Sequence, residues 1–349
     1  MEEQKPNEET SKVVCFFGAG ASAWAGIPTF NDFQKKAEIV CDKLPEHSPE
    51  KKVFQCVLKD WRTRYKDSNI EEYYATIEMH ETLNFNNIKK EDSDCITSAK
   101  VVTVICNTIQ ESINSKTSKI PYYFDLIWKL QDGSTDLVFI TTNWDILFES
   151  TKRSYLRDGW INYGEGIFAY NASNQTNPTE IFKILKLHGS LNWGICKNCE
   201  NRNIYYTEKM WNVLISSSLG LKCPKCGNKL EPVIVPPTIS KLTKANYFQL
   251  KSIWSSAHEN LRSCEKIYFI GYSFPETDVE TKYFISDALK SNTNLKEIII
   301  ITDQKYGRYK VDFEERYLSI ISKINSKPKF KFVDDGFESF CLQDSPRMK

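Results

Sequence analysis

A doubly wound α/β domain, a parallel sheet with helices on both faces, is predicted by two features of this sequence. Short apolar runs recur along the chain, and the segments between them are long enough for crossover helices. A third feature, glycine or hydroxyl-bearing turns directly after several runs, places ligand-binding chemistry at the carboxyl ends of the strands.

The first run, Lys12-Val-Val-Cys-Phe-Phe17, ends in Gly18 and has the continuous apolar character of a buried parallel strand. Residues 1–11 before it read as a disordered lead-in. Further strands are predicted at Asp136–Thr141, Ile184–Leu187, Lys266–Ile270, Glu297–Thr302 and Lys329–Val333. Between 31 and 130 the spacing is helical, broken at Leu44-Pro45, Asp92-Ser-Asp94 and Lys119-Ile-Pro121. That stretch of about 100 residues far exceeds one crossover and predicts an inserted helical module. A helix from Lys244 to Cys264 would put Leu250, Ile253, Trp254, Ala257 and Leu261 on one buried face, with His258 a surface or structural histidine.

The bulk numbers set limits on partners. The chain has 349 residues, 41% hydrophobic, enough for one large domain with insertions. Lysine and arginine (46) nearly balance aspartate and glutamate (45), and a net charge of +1 gives no indication of direct nucleic-acid or anionic-membrane binding. The N-terminus is polar and acidic, and no stretch reaches the ~18 apolar residues of a spanning helix, so the protein is read as cytoplasmic. Of the 11 cysteines, four form two Cys-x-x-Cys pairs, Cys196 with Cys199 and Cys223 with Cys226. Four thiolates at this spacing are the frame of a closed, structural zinc site, predicting a small metal module at about 194–232.

Five motifs carry the chemistry. Gly18-Ala-Gly-Ala-Ser22, continuing to Gly26-Ile-Pro28 and Phe30, lets backbone amides approach a dinucleotide or nucleotide phosphate, although a tight turn can need glycine with no ligand present. Thr141-Thr-Asn-Trp-Asp145 places Asn143 and Asp145 at a strand end, where they can hold a polar ligand or cap the next helix. His188, after Leu185-Lys-Leu187, is an imidazole where a base would be useful. Gly271-Tyr-Ser273 offers a hydroxyl to a phosphate or ribose, with Thr277 or Asp278 as helix caps, and Asp303 could accept from ribose hydroxyls.

In this order, Gly18 through Phe30, Thr141-Thr-Asn-Trp-Asp145, His188-Gly189, the two Cys-x-x-Cys pairs and Gly271-Tyr-Ser273 resemble the sirtuin family over roughly residues 12 to 305. The resemblance implies a Rossmann-like domain, spanning 12–349, with a zinc ribbon and a helical insertion. It implies that Gly18, Ala19, Gly20 and Ser22 hold the pyrophosphate of NAD. Asn143 and Asp145 would line the nicotinamide and ribose pocket, His188 would be the general base, and Ser273 and Asp303 would lie on the adenosine side. Gly26, Thr142 and Gly271 count among the remaining cofactor-binding positions.

Departures from the family pattern refine the expectation. Asn31 stands where sirtuin deacylases continue with arginine, Thr142 replaces the glutamine before Asn143, and Pro232-Val-Ile-Val-Pro-Pro-Thr238 stands where a Phe-Gly-Glu segment meets the acyl-lysine peptide. Tyr272-Ser-Phe-Pro-Glu-Thr-Asp278 and the helical insertion resemble the divergent sirtuin-like domains of bacterial antiphage immunity, which cleave NAD to nicotinamide and ADP-ribose. That activity is the expectation; an NAD-dependent protein-lysine deacylase and a non-catalytic NAD- or ADP-ribose-sensing subunit are the alternatives. Control is expected from homo-oligomerisation or a separate regulatory defence protein such as an ATPase.

Overall fold

Val13 to Phe17 are buried without alternation, so both faces of the central strand are covered, as a parallel sheet between helical layers requires. The computed structural model describes residues 10–83, 96–114, 122–132, 134–150, 160–170, 180–200, 203–207, 222–235, 248–275, 278–303 and 310–343. Its strands are β1 (Ser11–Phe17), β2 (Thr135–Thr141), β3 (Trp160–Asn162), β4 (Ile167–Ala169), β5 (Glu180–Lys186), β6 (Gly189–Ile195), β7 (Ile204–Tyr206), β8 (Glu231–Ile234), β9 (Lys266–Ile270), β10 (Glu297–Ile301) and β11 (Lys329–Val333). Seven form one sheet in the order β11-β10-β9-β1-β2-β5-β3, with every neighbouring pair parallel. The chain starts at β1, winds outward through β2, and returns to β9 on the other side, which puts the topological switch point between β1 and β9.

The register aligns the strand ends. Phe17 pairs with Thr141 and Ile270, Thr141 with Lys186, and Ile270 with Ile301. Residues following these positions, from Gly18 to Thr302, therefore emerge along one edge.

The insertion consists of α1 (Phe33–Lys43), α2 (Pro49–Arg64), α3 (Ile70–Thr82), α4 (Ser98–Asn114) and α5 (Tyr122–Leu130). Leu44-Pro45 ends α1 as expected, whereas Asp92–Asp94 and Lys119–Pro121 lie outside the described residues. A further break, between α2 and α3, has no proline or glycine; Asn69 makes it by accepting from the amides of Glu71 and Glu72, while Glu72 accepts from the Asn69 amide. After the insertion come α6 (Phe248–Ser263), α7 (Val279–Lys290), α8 (Lys310–Ile321) and α9 (Gly336–Leu342). The α6 face Leu250, Ile253, Trp254, Ala257 and Leu261 is buried as predicted, and His258 meets Asp287 at 2.9 Å on the surface.

Some strand limits need correction. β1 begins at Ser11, one residue before the predicted strand, and residues 1–9 of the expected lead-in lie outside the described residues. Leu187 and Thr302 fall just past their strands, and β3 is a strand that three residues were too few to signal. The four cysteines lie beside a second sheet, β4-β7-β6-β8, whose strands run from Ile167 to Ile234. Among the described residues no helix is long and apolar enough to cross a membrane.

The glycines at the switch point hold the two turns together. Gly20 N–H donates to the Gly271 carbonyl at 2.9 Å, and a Cβ on Gly271, whose φ is +61°, would lie 2.2 Å from the Ala21 nitrogen. Gly271→Ala is expected to cost about 1–3 kcal/mol from the backbone conformation alone. Denaturant titration checks this, and an unchanged midpoint would mean that the turns can separate.

Candidate active site

Where the β1 and β9 turns meet, the strand-end edge opens into a cleft of about 540 Å³. Ala19, Gly20, Ser22, Thr142, Asn143, Asp145, His188, Gly271 and Ser273 line it. Three other predicted site residues stand apart. Gly18 is packed beneath Tyr272, and its carbonyl accepts from Asn143 Nδ2 at 2.9 Å. Gly26 ends the short 3-10 helix Ala19–Ala25 in the left-handed conformation with φ 76°. Asp303 is exposed beyond β10 in an isolated bridge to Asp335.

Asn143, Ser22 and Asp145 form one network. Asn143 Nδ2 donates to Ser22 Oγ at 3.1 Å as well as to Gly18, and Ser22 Oγ donates to Asp145 Oδ2 at 2.7 Å. Asp145 Oδ1 accepts from the Leu147 amide at 3.0 Å, opening the helical turn at 147–150. The capping and ligand readings therefore divide: Asp145 caps, while Asn143 ties β2 to the β1 turn and retains its Oδ1 as an acceptor. Beneath them, burial pushes the Tyr123 phenol well above its usual pKa and Asp145 raises it further, so it remains a neutral donor, reaching the Ala21 carbonyl at 3.4 Å.

His188 is the residue that joins the two sheets, between the end of β5 and the start of β6. Its carbonyl accepts from Val235 at 2.8 Å, and Trp254 Nε1 donates to the preceding carbonyl, of Leu187, at 2.9 Å. Gly189 follows with φ +78°, and a Cβ there would lie 2.0 Å from the Val233 carbonyl, so β8 can cross only a glycine. His188 itself is 5% exposed.

Sequence reasoning missed Lys186 and Glu149. Lys186, 1% exposed, donates from Nζ to Glu149 Oε1 at 2.9 Å and to the Asp145 carbonyl at 2.5 Å. Tyr163 donates to the same Glu149 oxygen at 3.1 Å. The signal was available: a lysine inside the apolar run Ile184-Leu-Lys-Leu187 must find a partner once buried. Its pair supports the Asn143–Asp145 turn from below.

The four cysteines converge, their sulfurs all within 4.8 Å of one another. Cys196 to Cys226 is 3.4 Å and Cys199 to Cys223 is 3.7 Å, close to the ~3.8 Å edge of a tetrahedron with 2.3 Å metal–sulfur bonds. The Asn228 amide helps pull the Cys226 thiol down to about 6, while hydrogen bonding to Cys226 and Cys196 pushes Cys199 up to about 12. A cation is what would let all four ionise together, so the set fits a metal.

A seven-stranded parallel sheet with a cleft across its switch point and a four-thiol module defines a doubly wound α/β protein of ligand-binding type. The family model for the SIR2-like domain matches residues 137–321, more than half of the chain, and the chain belongs to that family. No curated protein matches it. Among solved structures, one described as "Structural Basis for the Mechanism and Regulation of Sir2 Enzymes" is 14% identical, with a TM-score of 0.40 over 98% of this chain and 94% of that chain. Another, "Structure of Sir2Tm bound to a propionylated peptide", is 14% identical with a TM-score of 0.41 over 96% and 92%.

Proposed function

We propose that this protein hydrolyses NAD to nicotinamide and ADP-ribose and serves antiphage defence by depleting NAD. The observation that carries the reading is the meeting of Asn143 and His188 with the β1 and β9 glycine turns in one cleft. Family membership and the resemblance to sirtuin-like immunity domains support it.

In this mechanism the bond from ribose C1′ to the nicotinamide nitrogen breaks, and its electron pair goes to the pyridinium ring, which leaves neutral. Water adds to the oxocarbenium-like ribose, and His188 accepts the proton that water loses. Asn143 Oδ1 places the ribose or the water, Asp145 orients the carboxamide, and the glycine turns receive the pyrophosphate. Asp145 can do this because Ser22 and Leu147 occupy only two of its roughly four acceptor positions. On the adenosine side the reading uses Ser273 and Asp303. No redox step is required. The test is incubation with NAD alone, without acylated peptide, following both products by chromatography; absence of product counts against hydrolysis by this chain acting alone. Control is assigned to homo-oligomerisation or to a separate regulatory defence protein, an ATPase being one such class.

The same proposal assigns Cys196, Cys199, Cys223 and Cys226 a structural zinc that closes its own coordination sphere and stabilises the small sheet. Purified protein is expected to carry about one zinc per chain by elemental analysis. Cys226→Ser should lower both zinc content and the thermal midpoint, and full-length protein with no bound metal and no response to chelators would refute the assignment.

A further inference from the structure

The sheet order spreads the cleft's groups along a line. His188 follows β5, Asn143 follows β2, the glycine turns follow β1 and β9, and α8 is the helix after β10. The imidazole therefore stands at one end, the glycine turns in the middle and α8 at the other end. Arg316 of α8 is the one lysine or arginine among the described residues that line the cleft, and it is half-buried with no ion pair among the described residues. The carboxylates lining the same cleft are Glu71 in the wall contributed by α3, Asp145, and Asp278, whose Oδ2 accepts from the Tyr272 hydroxyl at 2.8 Å. Asp303, the strand-end carboxylate that would repel a phosphate on the neighbouring ribose, is exposed in its bridge to Asp335 and does not line the cleft.

α8 is fixed to the β9 turn. The Tyr317 hydroxyl donates to the Tyr272 carbonyl, and the Tyr317 ring meets that of Phe274 edge-on at 4.7 Å. Phe274 has a φ of 47°, a conformation that bulky residues rarely adopt, and it is held there by burial against Phe269, Tyr272 and Tyr317. The turn and the helix carrying Arg316 thus form one packed unit that binding does not have to order.

We propose that Arg316 is a specificity-determining residue that takes the 2′-phosphate of NADP, so that the cleft cleaves the 2′-phosphorylated dinucleotide as well as NAD. The inference rests on the hydrolysis proposed above: the same bond from C1′ to nitrogen breaks, and water completes 2′-phospho-ADP-ribose as nicotinamide leaves. A guanidinium presents paired donors that match phosphate oxygens. In doubly wound dinucleotide sites an arginine on the adenosine side accommodates this phosphate, whereas a carboxylate selects the free hydroxyl.

The test compares NADP with NAD as substrates of the full chain and of Arg316→Gln, with Lys323→Gln, an exposed cation just past α8, as control. The parent chain should release nicotinamide from both. In Arg316→Gln the ratio of kcat/KM for NADP to that for NAD should fall about 10- to 100-fold, through KM. Arg316→Lys should recover part of it, and Lys323→Gln should keep the parent ratio. A parent chain that cleaves NAD but not NADP, an unchanged ratio in Arg316→Gln, or an equal loss for both substrates overturns the proposal. Should the parent chain cleave neither, the hydrolytic reading fails on its own, and Arg316 is judged by calorimetry with ADP-ribose and 2′-phospho-ADP-ribose. Tighter binding of the phosphorylated form that Arg316→Gln abolishes supports the contact. Equal affinities in the parent chain, or no binding of either compound, overturn it.

Discussion

His188→Ala abolishes nicotinamide release and leaves the fold intact: this is the largest functional effect the structure leads us to expect. Three backbone anchors around His188 survive loss of the imidazole, since Val235 donates to its carbonyl, Trp254 donates to that of Leu187, and Gly189 admits β8; the ring contact with Trp254 is given up. Removing a positioned base should slow turnover by about 10²- to 10⁴-fold. Asn143→Ala should match it in activity but cost some stability, since Gly18 and Ser22 each lose a donor, worth about 1 kcal/mol apiece. Chromatography of NAD digests alongside circular dichroism reads both. Folded His188→Ala within tenfold of the parent rate would remove His188 from the mechanism.

The largest stability effect is expected from Lys186→Met. Glu149 and Lys186 are both buried, and removing the ammonium strands a carboxylate whose Oε2 already has no hydrogen-bond partner among the described residues. Breaking one side of such a pair typically costs about 3–5 kcal/mol. For a chain of this size that corresponds to a midpoint lowered by roughly 4–7 °C. The Asp145 carbonyl loses its donor in the same step, so the turn carrying Asn143 should loosen as well. Lys186→Met with Glu149→Gln should recover much of the loss, because removing both charges is far less costly than removing one. A double variant as unstable as the single one would show that packing of the lysine stem, not the ion pair, sets the effect.

How much was legible follows from how each element is encoded. β9 matches its predicted limits because a buried parallel strand writes itself as a local apolar run, and β11, at the sheet edge, matches through its Lys-Phe-Lys-Phe alternation of exposed and half-buried positions. β6, Gly-Ser-Leu-Asn-Trp-Gly-Ile, mixes polar and apolar residues, and its strand character comes from pairing with β7 and β8, distant in sequence. The capping box at Asn69 was written in the sequence as Asn-x-x-Glu, but it was obscured by the uninterrupted helical composition around it. Within the site, residue types and order pointed to strand ends, and the register then placed Ser22, Asn143, Asp145 and His188 on one cleft. The lysine within Ile184-Leu-Lys-Leu187 announced the need for a buried partner, but the identity of that partner, Glu149, and the wall contributed by α3 depend on the three-dimensional neighbourhood.

His188 belongs to neither sheet. One neighbour in sequence, Leu187, is tied to the main sheet through Thr141, and the other, Gly189, is already a rung of the small one. Its imidazole is thus placed as a rivet is, by the alignment of two plates, and any slip of the plate that carries the cysteines moves the rivet while the cradle of glycines stays still.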